Sequence, residues 1–487
     1  MLGTWRTHAE YQTYLLAKLA LLEPLYSRSI QDFSTTIIKM WLLNLDQMKP
    51  IVSPLFSPIG RPSNQQPELM RFAVLMADQR EHDVDRWLKT VAATPLFCAL
   101  VGLEPHELPG ASTFRDFISR LWQDEPPNPM KPPKKRPKEG FGKEKQPPKR
   151  PGIIAELCRR AKRGEVFGGI PEAVLQAIFT QIALKPSELR GLLGNSKNLK
   201  VSADGTCVES HAYPNGRKIC DCHGRCECDR RHSDPEATWG WDSYHERYFY
   251  GYNLYMLSTH NADIGLDLPV YLRFTDACQF DGVTLIEAFA HARSLYQGFL
   301  NFEALIADNA HDNYATYDLL RHFRVRPFID LNPRNAEGGQ PMLQNIQLSR
   351  NGIPICADGH EMLNWGFDRN KFRTKFRAPC VLGKVTQCPY REQCCKTLYG
   401  KITYLRHVDN LRLFPPISRG SDEWISIYNE RTAAERVNNR ILTDYLLERP
   451  KRYGKKKLAF FAFINALNVH LDAQAKHGNT TLLDLAA

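Results

Sequence analysis

No stretch of this sequence reaches the ~18 consecutive apolar residues of a membrane-spanning helix. The closest, residues 458–471, is interrupted by Asn465, Asn468 and His470, so a membrane is not among the expected partners. The start of the chain lacks the succession of basic, apolar and small residues that makes a secretory leader, and an intracellular location is expected. Internal repeats are absent. So is the composition of a disordered chain: hydrophobic residues are 43% and charged residues 24% of 487, which is ordinary for a folded protein. That length corresponds to roughly three domains at ~150 residues each.

Acidic residues are outnumbered. Lys and Arg total 64 against 53 Asp and Glu, a net charge of +11. The excess sits in three tracts, 125–151 (+6), 449–457 (+6) and 371–377 (+4), and the rest of the chain sums to −5. Three basic stripes on a slightly acidic chain favour a phosphate backbone as partner, because each phosphate contact releases counterions. Phe372 and Phe376 alternate with the cations of the third tract, which suits stacking on bases or simply facing the core.

Residues 1–124 carry apolar residues at helical spacing at 14–22 and 69–74. Thr113-x-x-Asp116 has the form of a capping box opening a helix toward Trp122. A helical DNA-binding or dimerising domain is expected here. Residues 125–151 hold Pro-Pro three times and almost no apolar side chains, which predicts an extended linker. Residues 152–198 read as a helical connector, with Pro171 suited to a helix start and Gly191 and Gly194 to an end. From 199 the pattern predicts strands at 199–208, 248–258, 268–274, 302–307 and 327–330, and helices at 288–300 and 314–323. Residues 199–330 are therefore expected to form the first part of a mixed α/β sheet core, with a Cys-rich loop at 207–247. Residues 331–420 read as an irregular insertion with five cysteines. Helices at 424–447 and 458–476 are expected in a segment, 421–487, that completes the core.

Asp204 and Asp308 each stand at the end of an apolar run, at or near a strand end where loops meet ligands. Glu435 lies in an expected helix with Tyr428 and Arg431, spaced three and four residues apart and hence on one face. Two strand-borne Asp and one helix-borne Glu can converge on divalent cations, which want carboxylate oxygens. Two such ions ~4 Å apart suit phosphodiester cleavage. The plainer readings are an intrahelical Arg431–Glu435 pair and Asp side chains that shape turns. Asp281 and Asp312 compete for the role given to Asp308, and Asp312 is the expected cap of the following helix.

Several stretches occur in a telling order: Gly60-Arg-Pro with Leu69 and Arg71; Ala203-Asp204-Gly205-Thr206; Ser233-Asp-Pro-Glu-Ala-Thr-Trp239-Gly-Trp241 with Tyr250-Gly-Tyr252; Ile306-Ala-Asp308 with Asp312; and Tyr428-x2-Arg431-x3-Glu435. Together they resemble the bacterial insertion-sequence transposases with an Asp-Asp-Glu (DDE) core, over most of the chain outside 125–151. The resemblance implies an RNase H-like fold and two Mg²⁺ (or Mn²⁺) ions held by Asp204, Asp308 and Glu435. It implies cleavage of transposon ends followed by attack of the freed 3′-OH on target DNA. The implied partners are double-stranded terminal inverted repeats, target DNA and a second copy of the chain, in a bacterial, nucleoid-associated cytoplasmic setting. DNA contacts are expected from Tyr428, Arg431, Arg436 and Arg440, from Lys451, Arg452, Lys455, Lys456 and Lys457, and from Lys371, Arg373, Lys375 and Arg377. The family often places Lys seven residues past the Glu, where this chain has Leu442. Arg436, Arg440 or the 449–457 tract is the expected substitute. The long interval between Asp308 and Glu435 matches the position of the family's insertion domain.

Nine of 13 cysteines fall in two clusters. Cys220-Asp-Cys222-His-Gly-Arg-Cys226-Glu-Cys228 offers four thiolates, which suit tetrahedral Zn²⁺, with His223 and His232 as alternative ligands. The second cluster is Cys356, Cys380, Cys388, Cys394 and Cys395, with His360 nearby. Cys388-Pro and Cys394 resemble a zinc knuckle of related transposases, and Cys356, Cys380, Cys388 and Cys394 are the expected ligands, with Cys395 spare. Both sites would be structural. Cys98, Cys158, Cys207 and Cys278 are expected in the core, as are Trp239 and Trp241, which could otherwise stack on a flipped base. Two other functions compete with transposition: a catalytically inactive, zinc-stabilised DNA-binding protein, and a nuclease of the same fold without strand transfer. The presence of all three acids argues against the first.

Overall fold

The computed structural model describes residues 1–137, 152–165, 167, 170–224, 226–332, 340–343, 346–349, 351–448, 450–478, 481, 482 and 484. Most of the expected linker, 138–151, and Arg449 of the 449–457 basic tract lie outside these residues.

A six-stranded mixed sheet organises the chain. Its strands are β1 (Leu199–Glu209), β2 (Thr238–Asp242), β3 (Arg247–Asn261), β4 (Leu266–Asp276), β5 (Phe302–Ala307) and β6 (Arg326–Ile329). β3 pairs antiparallel with β1 along one edge; along the other it pairs with β2 in its first part and β4 in its second. β1, β5 and β6 run parallel. Parallel neighbours need crossover connections, and the Tyr314–His322 helix supplies the one between β5 and β6. The Asp281–Leu295 helix links β4 to β5. It begins well before the expected 288, and Phe302–Ala307 falls where expected.

Helices cover residues 1–124 as expected: His8–Asp32, Ser34–Leu42, Gln66–Asp78, Val84–Ala93, Pro95–Val101 and Ala111–Arg120 among them. The capping box is elsewhere than expected. The last of these helices starts just after Gly110, so Thr113 is already in its first turn. Thr7 and Glu10 form the reciprocal box instead, with Thr7 N donating to Glu10 Oε2 at 2.7 Å.

These N-terminal helices do not form a core of their own. They share one with the sheet, through the Lys455–His477 helix, whose residues 458–471 are all buried. A helix that is apolar on every side must be enclosed on every side. Its polar residues are keyed to fixed partners. Asn468 Nδ2 donates to Val74 O (3.1 Å), His470 contacts Ser187 Oγ (2.8 Å) and Pro269 O (2.7 Å), and Asn465 Nδ2 donates to Tyr445 O (3.3 Å). Burial pushes the His470 imidazole down to about 4. No helix among the described residues is long and apolar enough to cross a membrane.

Three further expectations are corrected. Residues 331–420 are not simply irregular: Leu363–Asp368, Arg373–Arg377 and Ile402–Arg406 form an antiparallel sheet over a small separate core. The single helix expected at 424–447 is instead Asp422–Tyr428, a tight turn Asn429–Arg431, Thr432–Asn439 and a wide π turn Arg440–Asp444. The start of the linker is also structured. Met130–Lys131 adds a strand to the Cys-rich loop's own hairpin, Arg217–Lys218 and Arg230–Arg231, and Lys134 Nζ is held by Pro235 O at 2.8 Å.

If the enclosed helix carries the fold, His470→Ala should cost roughly 2–4 kcal/mol, from two lost hydrogen bonds and a cavity. Lys476→Ala, at its exposed end, should change stability by under ~0.5 kcal/mol. Urea denaturation of the two variants measures this; equal midpoints would refute it.

Candidate active site: carboxylates at the centre of the sheet

The site is built by strand register. Ala203 of β1 stands beside Ala307 of β5 in the parallel pair. Asp204 is the next residue of β1, and Asp308 follows the last residue of β5 directly, so the register sets the two acids side by side at the same level of the sheet. The Thr432–Asn439 helix packs on β1, β3 and β4. From it, Asn438 Nδ2 donates to Asp204 Oδ2 at 2.9 Å. Glu435, one turn earlier, is exposed and pairs with Arg431 at 2.7 Å. Asp308 and Glu435 both act electrostatically on Asp204, so the three expected acids are neighbours, but their oxygens do not close to within 4.8 Å of one another among the described residues.

Alternation puts Gly205 on the opposite face of β1. Asn253 and Tyr255, which lie across from Cys207 and Gly205 on β3, face the same way. Asn253 Nδ2 donates to Asp281 Oδ1 at 2.7 Å, and a side chain at Gly205 would come within 2.8 Å of that oxygen. Asp281 therefore belongs to the other face. Asp312 is also removed from contention. It forms an ion pair with Arg412 (2.5 Å) and accepts from Asn332 N (2.8 Å). The cap expected of it is made by Asn313, which accepts from Ala315 N.

Each Asp is held by one oxygen. Asp308 Oδ1 accepts from Ala310 N (3.1 Å) and from His311 Nδ1 (2.7 Å), whose Nε2 meets the Tyr255 hydroxyl (2.8 Å). Among the described residues, Asp308 Oδ2 and Asp204 Oδ1 have no hydrogen-bond partner. The two carboxyls titrate apart. Burial pushes Asp204 up to about 7; Asp308 adds to this, His311 opposes it, and Asp281 and Glu435 add further. Burial alone would raise Asp308 as well, but the His311 contact and the Ala310 N–H bring it below its ordinary value. His311, lowered by burial, is raised overall by Asp308 and the other acids. Crowded carboxylates with oxygens left free are the donor set that a hard divalent cation fits.

Tyr428 stacks on Trp424, with centroids 4.5 Å apart. Most of the arginines expected at DNA are committed inside the protein. Arg436 pairs with Asp267 (2.5 Å), Arg440 with Asp472 (2.7 Å) and Arg373 with Asp368 (3.2 Å). Arg377 is buried and donates to Tyr399 O at 2.9 Å. Arg452 donates to Glu81 O (2.8 Å) and His82 O (2.9 Å) beneath the Phe461 ring, and burial pushes it down to about 9. Lys455 pairs with Asp276 (3.1 Å) and Lys457 is half-buried, whereas Lys371 and Lys451 are exposed. Lys375 and Lys456 are half-exposed. Phe376 faces the core and Phe372 packs on His407. Trp241 is 51% exposed rather than buried, and Cys278 is likewise exposed, while Cys207 is half-buried.

The first cysteine cluster can hold a metal such as zinc. The sulfur atoms of Cys220, Cys222, Cys226 and Cys228 all lie within 4.8 Å of one another. Cys220 and Cys226 are 3.4 Å apart, and Cys222 and Cys228 3.7 Å. Tetrahedral Zn²⁺ with bonds of ~2.3 Å asks for sulfur separations of about 3.8 Å. His223 and His232 are outside the group. The four ligands expected in the second cluster share one small core but do not close to such a group among the described residues. Cys380 is 3.9 Å from Cys395, the residue expected to be spare. His311, Tyr255 and Asn438 were not among the expected site residues. Asn438, three residues past Glu435, could have been found from helix spacing.

No family model matches this chain, and no match to a curated protein was found.

Two tests follow from the geometry. Without divalent cation at pH 8, Asp204→Asn should melt above wild type, because the folded protein resists ionising a carboxyl that is free to ionise when unfolded. The advantage should vanish below ~pH 4, grow as pH rises to about 7 and stay constant above that. Thermal melts across pH measure it, and a pH-independent difference would contradict the raised ionisation of the buried Asp204 carboxyl. Separately, the purified chain loaded with Co²⁺ should show tetrahedral thiolate–cobalt absorption that Cys222→Ser abolishes; an unchanged spectrum would exclude the four-cysteine site.

Proposed function

We propose that this chain is a DDE-type DNA transposase, which cuts the ends of a mobile element and joins them to target DNA. The observation that carries the reading is the neighbourhood of Asp204, Asp308 and Glu435, from β1, the turn that follows β5 and one helix, each acid anchored by a protein group. The strand arrangement supports an RNase H-like core. An antiparallel β4–β3–β1 meander continues into parallel β5 and β6, with helices on both faces and the third acid on a helix late in the chain.

Asp204, Asp308 and Glu435 would hold Mg²⁺ or Mn²⁺, which supplies Lewis-acid stabilisation of phosphoryl oxygens and activation of water when bound. The protein's own groups prepare for this. Asn438 and His311 fix the two aspartates, so that their free oxygens need no reorganisation. Asp204 gives up its proton near neutral pH, where cation binding favours the ionised form. Arg431 offsets the carboxylate charge beside Glu435, and its guanidinium suits a DNA phosphate. Four-cysteine zinc would brace the loop between β1 and β2 without entering the chemistry, since four protein ligands leave no open position.

The test is cleavage of plasmid DNA carrying the sequences that flank the coding region. Mn²⁺-dependent nicking at discrete ends, followed by joining of 3′-OH ends to a second DNA, is expected. Alanine at Asp204, Asp308 or Glu435 should each reduce nicking at least ~100-fold. Nicking without joining would identify a nuclease. Activity that survives all three substitutions would overturn the assignment.

A further inference from the structure

Resting on the function proposed above, we propose that His311, itself pinned by Tyr255, is a positioning residue that holds Asp308 from behind the sheet and presents its second oxygen to the cation. The residues that build this relay come from separate places. Asp308 follows β5 directly and caps the short turn Asn309–His311. That turn carries the His311 ring to the side of the sheet faced by Gly205 and Tyr255. His311 is 2% exposed and Tyr255 fully buried, so no water competes for their polar atoms.

The hydrogen bonds allow only one arrangement of the ring. A carboxylate can only accept, so His311 Nδ1 donates to Asp308 Oδ1. Nε2 then meets the Tyr255 hydroxyl on β3, 2.8 Å away. Both ring nitrogens are engaged, and a ring flip would break both contacts. Oδ1 also takes the Ala310 N–H. It is therefore spent on the protein, while Oδ2 has no partner among the described residues. Gly205 makes room for this: it lies opposite Tyr255 in the β1–β3 pair, and a Cβ there would collide with Asp281. Outer partners of this kind typically change metal affinity 10–100-fold when removed. A loosely held ligand loses affinity because its rotamer must be frozen on binding.

The experiment separates the two ring nitrogens. In the full-length chain, His311→Asn places an amide near the Nδ1 position and can still donate to Asp308. His311→Gln reaches the Nε2 position and cannot. Mn²⁺ binding is read from loss of the free-ion EPR signal, and nicking is measured as a function of Mn²⁺ concentration. His311→Gln should weaken Mn²⁺ binding ~10–100-fold, with His311→Asn within a few-fold of wild type. Tyr255→Phe, which removes one hydroxyl from a buried ring, should weaken binding by roughly 3–10-fold and decides the matter if His311→Gln does not fold. At saturating Mn²⁺ the maximal nicking rate of each variant should return close to wild type. A purely structural role would lower that rate and spare the affinity. Equal affinities for His311→Gln, Tyr255→Phe and wild type, with Asp308→Ala still weakened, would overturn the relay and leave the proposed function standing. Mn²⁺ binding unaffected by Asp204→Ala and Asp308→Ala would overturn both.

Discussion

Enclosure of the Lys455–His477 helix is the constraint on which the rest of the structure depends. A helix with no solvent face must be surrounded, and here the N-terminal helices supply one wall and the sheet another. Apolar packing alone would let such a helix slide or rotate. Three polar side chains prevent this, because an unpaired buried donor costs more than the bond it would make. Asn468 reaches Val74 in the N-terminal helices, His470 reaches Pro269 on β4, and Asn465 reaches Tyr445 in the segment just before. Asp472 then gathers Lys39 and Arg440. The Thr432–Asn439 helix, which supplies Glu435 and Asn438, is thereby indexed against the strands that supply Asp204 and Asp308. The interruptions that exclude a membrane span are the same residues that fix the register of the core.

The site stores unfavourable electrostatics in a controlled form. Placing Asp204 on β1 and Asp308 just past the end of its parallel neighbour β5 brings two negative charges together in a partly buried setting. The fold resolves this by making the environments unequal. Asp308 receives a backbone N–H and an imidazole, whereas Asp204 receives a single neutral amide. One carboxyl is held ionised and the other is left near its midpoint at neutral pH. Inequality of this kind is typical of sites where charge must change during a cycle. Repulsion that hydrogen bonds leave in place is available to whatever cation occupies the free oxygens.

Much of this was legible in the sequence, for a physical reason: strand-borne acids end apolar runs. β5 lies where its run predicts, and β1, β3 and β4 extend only a few residues beyond theirs. What depends on tertiary contact was not legible. His311 is a lone histidine until Tyr255, 56 residues earlier, supplies its second bond. The sheet within 331–420 was hidden because its outward positions, Arg373 and Lys375, alternate with Thr374 and Phe376 in a tract whose charge dominates the reading. The Asp281–Leu295 helix opens with Asp281-Gly-Val-Thr, residues of weak helix propensity, so its first two turns read as loop. Asp281 stayed a competitor for Asp308 because only its tertiary contact with Asn253 places it on the other face of the sheet.

The basic tracts show the limit of reading charge as a footprint. Arginine and lysine divide the work by chemistry rather than by position. A guanidinium offers five donors in a rigid plane and loses little on being held, so it is suited to tying carbonyls and carboxylates together. Arg377, Arg436, Arg440 and Arg452 are used in this way, each bridging separate segments of the chain, and Arg373 closes a hairpin onto Asp368. Lys371, Lys375, Lys451 and Lys456 make no ion pair and no side-chain hydrogen bond among the described residues. An ammonium on a flexible stem is strongly hydrated and tracks a phosphate as a point charge. The number of basic residues near the expected DNA face therefore overstates the cation available to a polyanion. Several of these arginines fasten the enclosed helix and the sheet to neighbouring segments or close the insertion on itself, and the remainder, mostly lysine, is what the surface has to offer.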